Sequence, residues 1–113
     1  MELPQEEFDK ILSLLMQKGV GNTDLSMFGD ETRIVLLKKA ADEFLAVKNY
    51  HEAVMAYRLI RDKSKLNKLG DYFLKSGLLS SALSSYESAD NEVMVRFIKQ
   101  NFDDKIYKDK LYV

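Results

Sequence analysis

Apolar residues recur at intervals of three and four along most of the chain, which is the spacing of one face of an α-helix. The first stretch follows Pro4, a residue that the first turn of a helix tolerates, and it ends before the loop at residues 19–22, where glycine can take a positive φ. We therefore predict a helix over residues 4–18 and a short helical turn over residues 23–28, which Leu25 and Phe28 would anchor.

The same periodicity predicts five further helices. Asp30 is expected to cap a helix that ends near Lys48, with an apolar stripe formed by Ile34, Leu37, Ala40, Ala41, Phe44 and Leu45. Asn49 with Glu52 resembles a capping box for a helix over residues 50–61. Further helices are expected over residues 63–76, with Gly77 as a left-handed stop, from Ser80 or Ser81 to about Ala89, and over residues 92–102 after a cap at Asn91. The tail, residues 103–113, is left unassigned. Since no stretch alternates with period two, the predicted class is all-α.

Part of the sequence repeats itself after 29 residues. When residues 37–62 are laid on residues 66–91 without a gap, seven positions are identical: Leu37/Leu66, Lys39/Lys68, Asp42/Asp71, Phe44/Phe73, Leu45/Leu74, Ala53/Ala82 and Tyr57/Tyr86. Small residues at fixed places between large apolar ones are typical of stacked helical hairpins. Gly70 in mid-helix has a propensity cost, which close contact with a partner helix would offset.

The repeat resembles the tetratricopeptide repeat family. The second repeat carries the family pattern at Leu66, Leu69, Gly70, Phe73, Gly77, Ala82, Tyr86 and Ala89, and the first at Leu37, Ala40, Ala41, Phe44, Ala53, Tyr57 and Ile60. Leu replaces the leading Trp, Lys48 replaces the second glycine, and no proline closes either repeat. The period of 29 is similar to the helical repeats of coatomer and clathrin-like trafficking proteins.

This resemblance implies a right-handed α-α superhelix of antiparallel hairpins, in one domain over residues 1–113. Its parts would be an N-terminal helical segment (4–33), repeat 1 (34–62), repeat 2 (63–91), a capping helix (92–102) and the tail (103–113). An array this short needs covered ends. We expect Phe8, Ile11 and Leu15 to pack back as an N-terminal cap; in the alternative, these residues or Tyr107, Leu111 and Tyr112 of the tail form a homodimer.

The resemblance also implies a function, namely a non-catalytic adaptor that binds a peptide or a helix in its concave groove. The family's groove positions fall on Lys38, Asp42, Leu45, Asn67, Asp71, Leu74, Lys75, Arg96 and Gln100. Asp42 and Asp71 stand where some members use Asn to hold a carboxylate terminus, so a partner carrying basic residues is expected. The same charges also fit an ordinary solvated helix face.

A basic stretch supports an alternative function, a nucleic-acid-associated regulator. Residues 58–75 carry six basic residues against two acidic ones, but the net charge of the whole chain is −1. Lys63, Lys65 and Lys68 do not share one helical face, and we expect no exposed aromatic side chain beside them. Ordinary solvated lysines therefore account for this stretch more simply.

The residue types in the chain give no indication of a catalytic site. There is no cysteine for a thiolate site, His51 is the single histidine, and no serine stands at a triad spacing from it. We expect no cofactor and no metal. The acidic start of the chain lacks the features of a signal peptide, and no apolar run is long enough to cross a membrane, so a cytoplasmic location is expected.

Overall fold

The architecture is all-α, as the periodicity predicts. The computed structural model describes the backbone of residues 3–111 and the side chains of residues 3–102, and none of the described residues lies in a β-strand. The helices are α1 (Gln5–Lys18), α2 (Asp30–Ala46), α3 (Tyr50–Leu59), α4 (Lys63–Lys75), α5 (Leu79–Ser88) and α6 (Glu92–Leu111), with a 3₁₀ turn at Val20–Asn22. The chain divides into two compact units, an N-terminal unit (Met1–Ile60) and a C-terminal unit (Arg61–Val113).

In the N-terminal unit, α2 packs against both α1 and α3. Leu15 of α1 is fully buried and Phe8 and Ile11 are half-buried, as expected of a segment that packs back onto α2, and Leu12 is buried as well. Glu52 of α3 fastens the connection after α1, since its Oε2 accepts a hydrogen bond from the backbone N–H of Val20 at 2.8 Å. Only one half of the predicted capping box is therefore formed. Oδ1 of Asn49 accepts a hydrogen bond from the N–H of Glu52 at 3.4 Å, whereas the Glu52 carboxylate accepts from Val20 in the loop and not from the N–H of Asn49.

Two expectations for the N-terminal unit are wrong, and a third is confirmed only in part. The predicted helical turn at residues 23–28 is a single hydrogen-bonded turn, in which the N–H of Phe28 donates to Leu25 O at 3.0 Å and Leu25 is buried, while a 3₁₀ helix lies earlier, at Val20–Asn22. Asp30 is the first residue of α2 and pairs with Arg33; it is not the cap, a place that Gly29 takes. Ile34 is exposed whereas Leu36 is fully buried, because α2 has packing partners on two sides and the predicted stripe allowed for one.

In the C-terminal unit, α5 packs against both α4 and α6. The aromatic ring of Tyr86 lies against Gly70, so closely that a Cβ atom added to this glycine would be 2.6 Å from Cε1 of the ring. The proposed reason for a mid-helix glycine, close contact with the partner helix, is therefore confirmed. The turn after α4 contains Gly77 with φ +76°, the predicted left-handed stop.

The 29-residue period is visible in the backbone of the two hairpins. Lys48 (φ +61°) and Gly77 (φ +76°) take the left-handed conformation at equivalent places, and Arg61 and Asp90 (both φ +56°) do so one helix later. The hydrogen bonds of the turns repeat as well, for example from the N–H of Asn49 to Phe44 O (2.8 Å) and from that of Leu78 to Phe73 O (2.9 Å). Lys48 thus adopts the same left-handed conformation as its counterpart Gly77, although lysine carries a side chain.

The last helix is longer than predicted. Asn91 caps α6 by accepting a hydrogen bond from the N–H of Met94 at 3.1 Å. The predicted end at residue 102 coincides with non-helical angles at Phe102 (φ −133°, ψ +21°), after which the helix resumes and continues to Leu111. The side chains of the tail, including Tyr107, Leu111 and Tyr112, lie outside the described residues.

Candidate partner-binding surfaces

Two of the predicted groove residues are hydrogen-bonded within their own hairpins. The hydroxyl of Tyr57 on α3 donates to Oδ1 of Asp42 on α2 at 2.6 Å, and the hydroxyl of Tyr86 on α5 donates in the same way to Asp71 on α4. Both tyrosine rings are fully buried, whereas both aspartates are exposed. Each pair therefore joins the two helices of one hairpin at its solvent edge.

This environment favours the neutral form of the tyrosine. Burial, followed by the hydrogen bond to Asp71 and the negative charge of that carboxylate, raises the pKa of Tyr86 well above its ordinary value. The Asp–Tyr pair consequently acts as a structural clamp, because its two members are identical in both repeats and already satisfy each other.

Asn67, a third groove position, also has a partner inside its own unit. Its Oδ1 accepts a hydrogen bond from Nδ2 of Asn91 at 2.8 Å, and Asn91 is the residue that caps α6. The contact links α4 to the start of α6, and so orders the junction between a hairpin and the helix that follows it.

The remaining groove positions are more accessible. On α2, Lys38 is exposed and Leu45 is half-buried; on α4, Lys75 is exposed and Leu74 is half-buried. Arg96 and Gln100 of α6 are exposed and line a cleft of roughly 610 Å³, together with Glu87 at the end of α5. Lys38 and Lys75 are therefore the charged groove positions that remain for contact on α2 and α4.

The basic stretch is exposed and only partly paired. Lys63 forms a salt bridge with Asp90, with 3.0 Å between Nζ and Oδ2. Lys65, Lys68 and Lys75 fall on one face of α4 at intervals of three and seven residues, and Tyr72, which is 49% exposed, lies among them. The expectation that no exposed aromatic side chain accompanies the lysines is wrong.

Sequence reasoning missed a cleft in the N-terminal unit. It has a volume of roughly 790 Å³ and lies where the N-terminal ends of α1 and α2 meet. Its apolar lining includes Met27, 83% exposed, and Val35, 55% exposed, and Asp30 and Glu31 stand at its rim. Met27 lies in the loop before α2, where no helical periodicity indicates which side chains are buried.

These surfaces are accompanied by two further observations. Among the described side chains, no group of three or more His, Asp or Glu residues is placed to hold a metal ion. Within the same part of the chain, no helix has the length and apolar character that crossing a bilayer requires. Comparison of the chain with family models, with curated proteins and with solved structures finds no match.

Proposed function

We propose that this protein is a non-catalytic interaction module whose helical hairpins, similar to tetratricopeptide repeats, bind a peptide or a helix of a protein partner. The observation that carries the proposal is the apolar cleft of the N-terminal unit, in which Met27 and Val35 are left in solvent beside carboxylates. Large apolar side chains exposed together in a concave place, with a polar rim, are a feature of protein-binding surfaces.

The chemistry of the cleft selects a class of partner. Glu31 lines it together with Asp30, which is already paired with Arg33, and Glu6 and Glu7 occupy the first turn of α1 near it. A segment that inserts a bulky apolar side chain and carries Lys or Arg next to it would bury apolar surface and meet opposite charge. Methionine suits such a site because its flexible side chain adapts to differently shaped partners.

The predicted groove supports the same function with a smaller set of residues. Since Asp42 and Asp71 are held by tyrosines, Lys38 and Lys75 become the charged positions expected to contact a partner, beside Leu45 and Leu74. A cytoplasmic location belongs to this proposal and is supported by a composition without cysteine.

Affinity capture from a nuclease-treated lysate of the source organism tests the proposal. Wild type would be compared with a cleft variant (Met27→Ser with Val35→Ser) and a groove variant (Lys38→Ala with Lys75→Ala). Val47→Ser is the matched control, because this valine is 67% exposed on the same unit but does not line the cleft. Circular dichroism would verify that every variant is folded.

The outcomes separate the two surfaces. A protein retained by wild type and by the control but lost by the cleft variant places the partner in the cleft, and loss by the groove variant places it at Lys38 of α2 or at Lys75 of α4. If the same proteins stay bound to all four, or if wild type retains none, the interaction module is refuted.

A second candidate function is nucleic-acid binding through α4. The shared face of Lys65, Lys68 and Lys75 with the half-exposed Tyr72 favours it, since cations beside an aromatic ring suit phosphates and stacked bases. Titration of a labelled single-stranded oligonucleotide tests it. The logarithm of affinity should fall with the logarithm of salt concentration, by about 0.7 per phosphate contacted, and Tyr72→Ala should weaken binding. A salt-independent signal, or none, excludes this candidate.

A further inference from the structure

Helix α6 continues the repeat but has no hairpin partner among the described residues. Adding 29 to the residue numbers of α4 gives residues 92–104, the first part of α6. The two helices also start alike, since Asp62 caps α4 by accepting from the N–H of Lys65 at 3.1 Å and Asn91 caps α6 by accepting from that of Met94 at 3.1 Å. In α4 the face that follows is packed against α5. In α6 the corresponding face lines the cleft through Glu92, Arg96 and Lys99, together with Glu87 at the end of α5.

The side chain at the centre of that face of α6 prevents a helix from packing there as closely as α5 packs against α4. The equivalent residues are Ala41 in the first repeat and Gly70 in the second, both buried, and Gly70 has no room for a Cβ beside the tyrosine ring. In α6 this position is Lys99, which is exposed. A long, charged side chain at the point of closest approach keeps a neighbouring helix at a greater distance. Contact with that helix is favourable if it places a carboxylate opposite the lysine.

Exposed apolar side chains lie on a different edge of the same helix. Val93 is 76% exposed and Phe97 is 45% exposed. The ring of Phe97 is held in place by Phe102, which it meets edge to face with 6.2 Å between the ring centroids. The helix thus offers a charged edge and an apolar edge in solvent, about 130° apart around the helix axis, with the exposed Arg96 and Gln100 between them.

The geometry points to a second copy of this chain as the occupant: we propose that two α6 helices pair antiparallel around a two-fold axis to form a homodimer. Glu92 and Lys99 are seven residues apart, so they lie on one edge of the helix about 10 Å from each other. A two-fold axis between Val95 and Arg96 places Glu92 of each copy opposite Lys99 of the other.

The apolar edge fits the same axis independently. Val93 and Phe97 have their midpoint at residue 95, within one residue of the midpoint of the charged pair. In an antiparallel pair related by an axis perpendicular to both helices, like edges meet like edges. Val93 therefore meets Phe97 of the other copy on one side, while Glu92 meets Lys99 on the other. Arg96 is the exception, because near the axis it approaches its own counterpart.

Charge reversal tests this pairing. Sedimentation equilibrium of the full chain across about three decades of micromolar concentration should show a monomer–dimer equilibrium in wild type. Glu92→Lys and Lys99→Glu should each raise the dimer dissociation constant about tenfold or more, since each creates two like-charge contacts. An equimolar mixture of the two variants should recover the wild-type dissociation constant. In the mixed dimer the lysine introduced by Glu92→Lys faces the glutamate introduced by Lys99→Glu, and the unchanged Lys99 of the first copy faces the unchanged Glu92 of the second.

Matched controls separate this interface from general effects. Phe97→Ser should weaken the dimer, whereas Val47→Ser, an exposed apolar residue of the other unit, should not. Arg96→Gln should leave the dissociation constant unchanged or lower it. Glu92→Lys also loses a favourable charge at the start of α6. If the mixture recovers the wild-type dissociation constant, this local loss is not the reason that the single variant dimerises weakly. A monomer at every concentration, a dimer indifferent to Phe97→Ser, or a mixture that stays monomeric would each overturn the proposal.

Discussion

Gly70→Ala should destabilise the protein, although the same substitution in an exposed helix stabilises it. Alanine gains about 1 kcal/mol in helix propensity. Against this gain stands the added Cβ, which would be 2.6 Å from Cε1 and 2.8 Å from Cδ1 and Cζ of Tyr86. The ring is fully buried and its hydroxyl is hydrogen-bonded to Asp71, so it cannot turn away without loss.

The magnitude follows from these opposing terms. Overpacking a buried site costs about 1–3 kcal/mol, and moving the ring also weakens a hydrogen bond to a carboxylate, worth about 1.5–3 kcal/mol when lost entirely. After subtracting the gain in propensity, we expect Gly70→Ala to lower the free energy of unfolding by about 1–3 kcal/mol. The equivalent residue in the other hairpin gives the control: Ala41→Gly should cost about 2 kcal/mol, from propensity and one buried methyl group.

Urea denaturation followed by circular dichroism at 222 nm measures both changes, and amide hydrogen exchange assigns the effect of Gly70→Ala to α4 and α5. The same substitution would also be made in a Tyr86→Leu background, where the ring is gone. There it should become stabilising, by up to about 1 kcal/mol. If Gly70→Ala stabilises the protein that keeps Tyr86, or if its effect is the same in both backgrounds, contact with the ring is not the reason for the glycine.

Three further predictions concern single side chains. Tyr86→Phe should lower the free energy of unfolding by about 1–2 kcal/mol at neutral pH. Because the folded-state pKa of Tyr86 is raised, its contribution is complete below about pH 10 and is lost as the pH rises further, so urea titrations at pH 9 to 11 should show a steeper loss for wild type than for the variant. Glu52→Ala should cost about 1–2 kcal/mol and speed hydrogen exchange at the N–H of Val20, whereas Glu52→Gln, which keeps an acceptor, should change exchange much less; equal exchange in the two variants would contradict the proposed fastening. Lys48→Gly should stabilise by about 0.5–1 kcal/mol and Gly77→Ala should destabilise by about 1 kcal/mol, because both positions have positive φ; thermal unfolding that moves in the opposite direction for either one would refute this.

The local elements follow from the sequence because they depend on neighbouring residues. The apolar spacing of a helix, its cap and its stop are local features of the sequence. Except for α6, which continues beyond the predicted end at residue 102 to Leu111, the helices begin and end close to the predicted residues. The exposure of Ile34 could not be predicted in this way. It depends on which sides of α2 are covered, and that is decided by contacts with helices distant in sequence.

The candidate surfaces were only partly predictable. The groove positions were taken from a family pattern, which does not reveal that Asp42 and Asp71 already have partners. A signal existed, since Asp and Tyr recur 15 residues apart in both repeats and are identical in both. The cleft with Met27 lacks any such signal, because it forms where a loop without periodicity meets the ends of two helices.

Identity between the repeats reports what each hairpin needs in order to fold. Of the seven identical pairs, six are buried, half-buried or hydrogen-bonded within their hairpin, and the exception is Lys39 with Lys68, which are exposed. A surface that distinguishes one partner from others needs instead exposed positions that differ between the repeats. Lys38 is such a position, because it is exposed and its counterpart in the second repeat is the half-buried Asn67. It follows that substitutions at the clamp should change stability before they change partner capture. Substitutions at Lys38 or Met27 should change capture and leave stability within about 0.5 kcal/mol, so measuring both quantities on one set of variants separates the two classes of residue.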